Sequence, residues 1–358
     1  MSEFLLAMAC LSASVTWLAL FPLRQRLYHW QMIDVPNERS SHSRPTPRGG
    51  GIAIVVVTSI GLLTYQLLAP AASWLPLLTY VVGAVLIAIV SWLDDVKSLP
   101  NRVRFAAHGL GAVLAVLGFG YWHTISLPVL GQLYIGWLGW PVTLLWIVGL
   151  TNAYNFMDGI DGIAGGQAVV AGLGWAGLGW ISQQPFISVS GLLIAASSLG
   201  FLWHNWSPAR IFMGDVGSAF LGYTFAVLPL AFNVLPAHEA SWNLMPVAGI
   251  LLVWPFVFDT GFTFLRRLRK GENVFRAHRS HLYQRLAIVG YSHRAVAILY
   301  SGLAGGGVVL AFLFAARLAV AEWLVALGLP IGATGLVWFV SRQENSRHLT
   351  SGTQENPL

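Results

Sequence analysis

Four clusters of ionisable residues interrupt an otherwise apolar chain. They are Asp94-Asp95, the run NFMDGIDG from Asn155 to Gly162, the run FMGDVGS from Phe212 to Ser218, and the run RAHRSHLYQR from Arg276 to Arg285. Carboxylate oxygens beside guanidinium and imidazole groups suit the joint holding of a divalent cation and phosphate. A carboxylate at mid-bilayer costs roughly 2.5 to 3.5 kcal/mol on insertion scales. Acids kept in so apolar a chain therefore mark a candidate site.

Each cluster has a plainer reading beside the chemical one. Asp94 and Asp95 end an apolar run before Pro100. Neighbours on a helix diverge by about 100°, so one can bind a metal while the other faces a second substrate, or both can decorate a solvated helix end with Lys97. In NFMDGIDG, Asp158 and Asp161 share a face if the segment is helical, with Asn155 one turn earlier. Helix capping needs one such residue, and this run supplies three. Asp215 precedes another apolar run and is either an N-cap or a ligand for a hard cation such as Mg²⁺. The stretch 266–294 reads as a topogenic basic loop, except that Arg276, His278, Arg279 and His281 can together hold a diphosphate. Zinc is disfavoured because neither a Cys partner nor HExxH accompanies the two histidines.

A fifth segment, DVPNERSSHSRPTPRGGG from Asp34 to Gly51, places Arg39, His42, Arg44 and Arg48 before three glycines. Glycine-exposed amides at a helix start predict an anion seat there; a basic linker would look similar. His108, His123, His204 and His293 read as packed or interfacial. Asp259 lies inside an apolar run and is a candidate for binding a base or sugar.

The elements that must position these groups are membrane helices. The chain has 358 residues, 56% hydrophobic and 9% charged, with a net charge of +6; a soluble domain carries about 25% charged residues. Apolar runs of the length that crosses a bilayer occur at 4–23, 50–69, 76–93, 104–120, 137–151, 161–181, 186–203, 216–236, 244–265, 294–316 and 320–340. The fifth and seventh are short, which predicts ten or eleven spans in an all-α polytopic fold. With the N-terminus outside and the C-terminus inside, only Arg317 of the 20 Lys and Arg residues falls on the outer side, as the positive-inside rule demands. The four clusters then share the cytoplasmic face. The first run, followed and not preceded by arginine, reads as a retained span and not as a signal peptide. The basic residues adjoin helix ends, which speaks for anionic headgroups or substrates and against nucleic acid. One cysteine, Cys10, excludes an intramolecular disulfide. Residues 1–340 read as a single transmembrane catalytic domain and 341–358 as a polar tail.

In order, these strings resemble the polyprenyl-phosphate N-acetylhexosamine-1-phosphate transferase superfamily, over about 250 residues from Asp34 to the His loop. The resemblance implies transfer of a sugar-1-phosphate from a UDP-sugar to undecaprenyl phosphate at the bacterial inner membrane, releasing UMP. It also implies Mg²⁺, with Mn²⁺ able to replace it, and is compatible with a homodimer. The family's acid pair maps onto Asp94 and Asp95, its NxxDGxDG element onto Asn155, Asp158 and Asp161, and its metal-binding aspartate onto Asp215. Its basic loop maps onto Arg276, His278, Arg279 and His281. The implied catalytic set is Asp94, Asp95, Asp158 and Asp161; Asp215 and Asp158 hold metal; Asn155, Arg39, His42, Arg48 and the basic loop bind substrate. Ser98 stands where many relatives have a further aspartate, and HRSH replaces a triple histidine. Both departures make the chain similar to the O-antigen-initiating branch. A transporter of an anionic or phosphorylated substrate is the rival class; it predicts repeated halves and acids at mid-membrane, neither of which is visible.

Overall fold

A computed structural model describes residues 2–36, 44–68, 73–234, 243–274, 276 and 278–352. Every apolar run becomes a helix. In chain order these are α1 (Ser2–His29), α2 (Gly51–Leu68), α3 (Trp74–Lys97), α4 (Asn101–Phe119), α5 (Gly139–Phe156), α6 (Ile163–Ile181), α7 (Pro185–Asn205), α8 (Asp215–Val227), α9 (Met245–Arg269), α11 (His293–Ala315) and α12 (Ala319–Gly352). A short helix, α10 (Leu282–Ile288), follows the basic loop. Two antiparallel pairs complete the described residues: β1 (Ile33–Asp34) with β2 (Thr46–Pro47), and β3 (Thr124–Leu127) with β4 (Gly131–Tyr134). The fold is that of an all-α, multi-pass membrane protein.

Nine of the described helices are long and apolar enough to cross a bilayer. Of the eleven long helices, the two that are not are α5 and α6. The α5 helix carries Thr143, Thr151, Asn152 and Asn155, and α6 is glycine-rich and buries Gln167. Both lose hydropathy because they serve the interior of the bundle. The seventh run, expected to be short, is a helix of 21 residues. The polar tail expected from Ser341 begins as a continuation of α12, where Glu344 accepts from Arg285 Nε of α10 at 2.6 Å.

At the centre stands α8, buried along its length from Val216 to Val227 and packed against α2, α3 and α5. Its polar groups are matched inside the bundle, as a water-free environment requires. Tyr80 and Thr224 hydroxyls lie 3.0 Å apart, Tyr223 Oη donates to Gly111 O at 3.2 Å, and Trp146 Nε1 donates to Ala226 O at 3.0 Å. Leu6, Ile60, Leu117, Leu145 and Ile331 are exposed on the rim, a lipid-facing pattern. The bend in α9 falls at Val253, just before Pro255. Gln167 Nε2 donates to Leu252 O there at 2.9 Å, and Trp254 Nε1 to Leu303 O at 2.8 Å. Each helix end that matters next is thus fixed by packing deep in the bundle.

Candidate active site

Asp94 and Asp95 occupy the last turn of α3, which Ser98 stops in a left-handed conformation (φ 50°). The two carboxylates do diverge, as helical geometry demands. Asp95 turns inward, its side chain fully buried, and accepts the amides of Asp215 at 3.1 Å and Val216 at 3.3 Å. It thus caps α8 from another helix. Asp94 accepts Leu99 N at 2.6 Å with one oxygen and Arg104 Nη1 at 2.8 Å with the other.

Asp215 sits between two arginines. Arg48 Nη2 lies 2.5 Å from Asp95 Oδ1 and 3.0 Å from Asp215 Oδ1, while Arg104 Nη1 lies 3.5 Å from Asp215 Oδ2. Burial works against the Arg48 charge, but Asp215 and Asp95 outweigh it and raise the guanidinium's pKa. Three acids and two bases from four segments therefore meet at the end of α3 and the starts of α2, α4 and α8.

The DG run departs from the helical expectation. The α5 helix ends at Phe156, and 157–162 is irregular. Asp158 and Asp161 consequently face different partners. Asp161 is buried, accepts Ala209 N at 3.2 Å and pairs with His293 Nδ1 at 3.4 Å. Burial alone would raise its pKa; the bond and charge of His293, with Ala209 and Ser207, bring it below the usual carboxylate value. The carboxylate read as catalytic ties the DG loop to the chain before α8 and to the start of α11. His293, set aside as packed or interfacial, is its partner.

Asp158 is different. Among the described residues its carboxylate makes no hydrogen bond or ion pair. Burial pushes its pKa well up, and the charges of Asp215, Asp95 and Asp161 add to this while Arg48 opposes it. Asn155 is half-buried in the last turn of α5 beside it. Gly159 must be glycine: a Cβ there would stand 2.2 Å from Tyr283 Oη, which donates to Phe156 O at 3.0 Å. That contact brings α10 against the DG loop.

The basic loop between α9 and α10 is held by its own arginines. Arg266 donates to Ser280 O at 2.6 Å, and buried Arg267 reaches Arg276 O, Asn273 O and Glu272 at 3.1, 2.8 and 2.8 Å. His278 and His281 rings lie 5.0 Å apart, Arg279 is half-buried and Arg276 is exposed. Asp259 is not a base or sugar ligand. It is fully buried, and both its oxygens are engaged by Thr263, His281, Leu282, Tyr283 and Tyr300.

The first loop overturns a second expectation. Arg39 and His42 lie outside the described residues. The three glycines do not seat an anion, because Gly49 and Gly50 donate to Phe212 O at 3.1 and 2.9 Å and Gly51 to Met213 O at 2.9 Å. Their smallness lets backbones touch instead: a Cβ on Gly51 would stand 2.3 Å from Gly217 Cα. The run joins α2 to α8 and thereby sets Arg48 against Asp215.

Comparison with known proteins fits this arrangement. The Glycosyl transferase family 4 profile matches residues 77–233. The chain is 35% identical over 272 residues to a probable undecaprenyl-phosphate N-acetylglucosaminyl 1-phosphate transferase of Bacillus subtilis, covering 75% of this chain and 73% of that protein. A decaprenyl-phosphate N-acetylglucosaminephosphotransferase of Mycobacterium tuberculosis is 32% identical, covering 88% and 84%. The chain belongs to the polyprenyl-phosphate hexosamine-1-phosphate transferase family. A more distant branch is also matched, a phospho-N-acetylmuramoyl-pentapeptide-transferase of Synechococcus at 30% identity, covering 79% and 84%.

Within this transferase, the site's donor set suits a hard cation. Asp158 lacks a donor among the described residues, and the two oxygens of Asp215 are met by Arg48 and Arg104 with the Asp94 carboxylate close by. No three His, Cys, Asp or Glu side chains converge into a ready-made cage among the described residues. Such an open set fits an ion that keeps water and bridges phosphate. Arg104 was missed by sequence reading, which counted it only as an orienting charge. Its signal was its place in the first turn after Pro100, opposite the acid pair. His108, one turn further along α4, is buried and lies 3.0 Å from Asn152 Nδ2.

Proposed function

We propose that this transferase moves an N-acetylhexosamine-1-phosphate from a UDP-sugar to undecaprenyl phosphate at the cytoplasmic face of the bacterial inner membrane, releasing UMP and starting O-antigen or a related surface polysaccharide. The reading rests on one observation: a half-buried Asp158 carboxylate without a protein donor among the described residues, near enough to Asp215, Asp95 and Arg48 to feel their charges. A group so placed is suited to a cation that arrives with a diphosphate. Asp215 and Asp158 would hold Mg²⁺ or Mn²⁺. When bound, the ion neutralises charge on the diphosphate oxygens.

The protein's own part is binding and alignment. A phosphate monoester has a second pKa near 6, so the lipid phosphate needs no strong base to be a nucleophile. Its oxygen attacks the sugar-linked phosphorus, the bond from that same phosphorus to the bridging anhydride oxygen breaks, and UMP leaves carrying that oxygen and the bonding pair. Two anions must be brought in line against their repulsion. Arg48 and Arg104 meet the acceptor and the departing UMP, and the His278–His281 loop lies over the DG run to hold the diphosphate. Asp94 and Asp95 are occupied by Leu99, Arg104, Arg48 and the α8 amides, which favours direct attack over a covalent aspartyl intermediate.

The test is purified protein with undecaprenyl phosphate and a panel of UDP-N-acetylhexosamines, following UMP release. Release with at least one donor, dependent on lipid phosphate and abolished by chelation of divalent metal, is expected. Absence of release across the panel would remove the proposal, and release of labelled UMP without lipid would replace direct attack by a two-step route.

A further inference from the structure

The buried aspartate of α9 has no place in the chemistry above, yet it is the most heavily bonded side chain near the basic loop. Asp259 Oδ1 accepts Leu282 N at 2.8 Å, Thr263 Oγ1 at 3.2 Å and His281 Nδ1 at 3.3 Å. Its Oδ2 accepts Tyr300 Oη at 2.6 Å and Tyr283 N at 3.1 Å. Two of these donors are the first amides of α10, so the carboxylate caps that helix from below. Capping alone explains the amides; it does not explain the ring nitrogen.

A carboxylate that already accepts from fixed N–H donors can only accept from the imidazole, so Nδ1 must carry the hydrogen. His281 is also the buried N-cap of α10, where its side chain and that of Gln284 form a capping box; the Asp259 contact is made by Nδ1, which leaves Nε2 as the nitrogen turned away from the carboxylate. The ring is further pinned between His278, at 5.0 Å between centroids, and Tyr283, at 5.8 Å and 25°. A side-chain bond ties α10 to the start of the DG run, because Tyr283 Oη donates to Phe156 O.

We infer that Asp259 is a positioning residue that fixes His281 with its hydrogen on Nδ1, so that Nε2 is the nitrogen presented to the anionic substrate. The arrangement follows a general rule: the bond made by one ring nitrogen decides the role of the other. The sense in which Nε2 serves the reaction rests on the transferase reading; the fixed tautomer does not.

The experiment reads both separately. The protein is labelled with ¹⁵N-histidine in detergent micelles, and the His281 ring signals are assigned by their loss in His281→Gln. Under conditions where the ring is neutral, wild type should show a protonated Nδ1 and a bare Nε2. A ring with hydrogen on Nε2, or an even mixture, overturns the inference whether or not any UDP-sugar reacts. Asp259→Asn should lose the single-tautomer signature and lower kcat by about 10- to 100-fold, the usual scale for an outer partner of a functional histidine, with KM changed less. Tyr300→Phe removes another bond to the same carboxylate and should keep the signature. If Tyr300→Phe scrambles the ring as Asp259→Asn does, Asp259 acts only as a helix cap and the inference fails.

Discussion

At the scale of single residues, the site separates four aspartates that look alike in sequence. Asp158 accepts no hydrogen bond among the described residues and Asp215 faces only side-chain guanidinium donors, whereas Asp95 and Asp161 accept backbone amides. Asp158→Asn and Asp215→Asn should each lower kcat by about 100-fold or more, the scale of losing a preorganised charge, with the protein still folded by circular dichroism. Asp161→Asn should instead lower thermal stability. The sign follows from its depressed pKa: the ionised form is favoured by folding, so its stabilisation is present above the unfolded value, about 4, and fades as pH falls through the lower folded value. Melting of wild type and Asp161→Asn in detergent should therefore differ at neutral pH and converge in acid. A gap that persisted unchanged below pH ~3 would detach Asp161 from that role.

At the scale of elements, the site is a meeting of helix ends. Asp95 of α3 caps α8, the glycine run joins α2 to α8, and Tyr283 of α10 lies on the DG loop. A Gly159→Ala change puts a methyl group 2.2 Å from the Tyr283 hydroxyl, forcing the two segments apart. Turnover should fall at least about tenfold, consistent with the sensitivity of such reactions to misplacement near 1 Å. Removing the hydroxyl in a Gly159→Ala/Tyr283→Phe double variant makes room, and steady-state kinetics should show partial recovery. If the double variant is as slow as the sum of both losses, close approach is not the reason for glycine. The DG spacing had suggested one helical face for both acids. Gly162 takes a left-handed conformation (φ 78°) where the run breaks out of helix, and a periodicity argument does not register that break.

At the scale of the whole molecule, the reading places the charged helix ends inside and the β3–β4 hairpin outside. In a Cys10→Ser background, an impermeant maleimide should label Gln132→Cys in intact spheroplasts and reach Lys97→Cys only after lysis. Labelling of Lys97→Cys from outside would invert the topology and remove the cytoplasmic site. The eleven helices, and the gathering of acids near their ends, were legible in the sequence because hydropathy and Lys/Arg bias are sums over neighbouring residues. The bundle's interior was not: α5 and α6 lie inside it, and their lower hydropathy acquires meaning only from what surrounds them.

The sequence by itself determined that this chain threads a bilayer many times and that most of its carboxylates lie near helix ends, since burying an unpartnered charge in hydrocarbon is costly. Only the tertiary structure decided which of those carboxylates is open and which is consumed. The partners that consume them are distant along the chain: Asp95 serves the amides of Asp215 and Val216, Asp161 serves Ala209 and His293, and Asp259 serves His281. A hydrogen bond between remote residues leaves no periodic trace in either segment, so the division between cap and ligand exists only once the helices have packed.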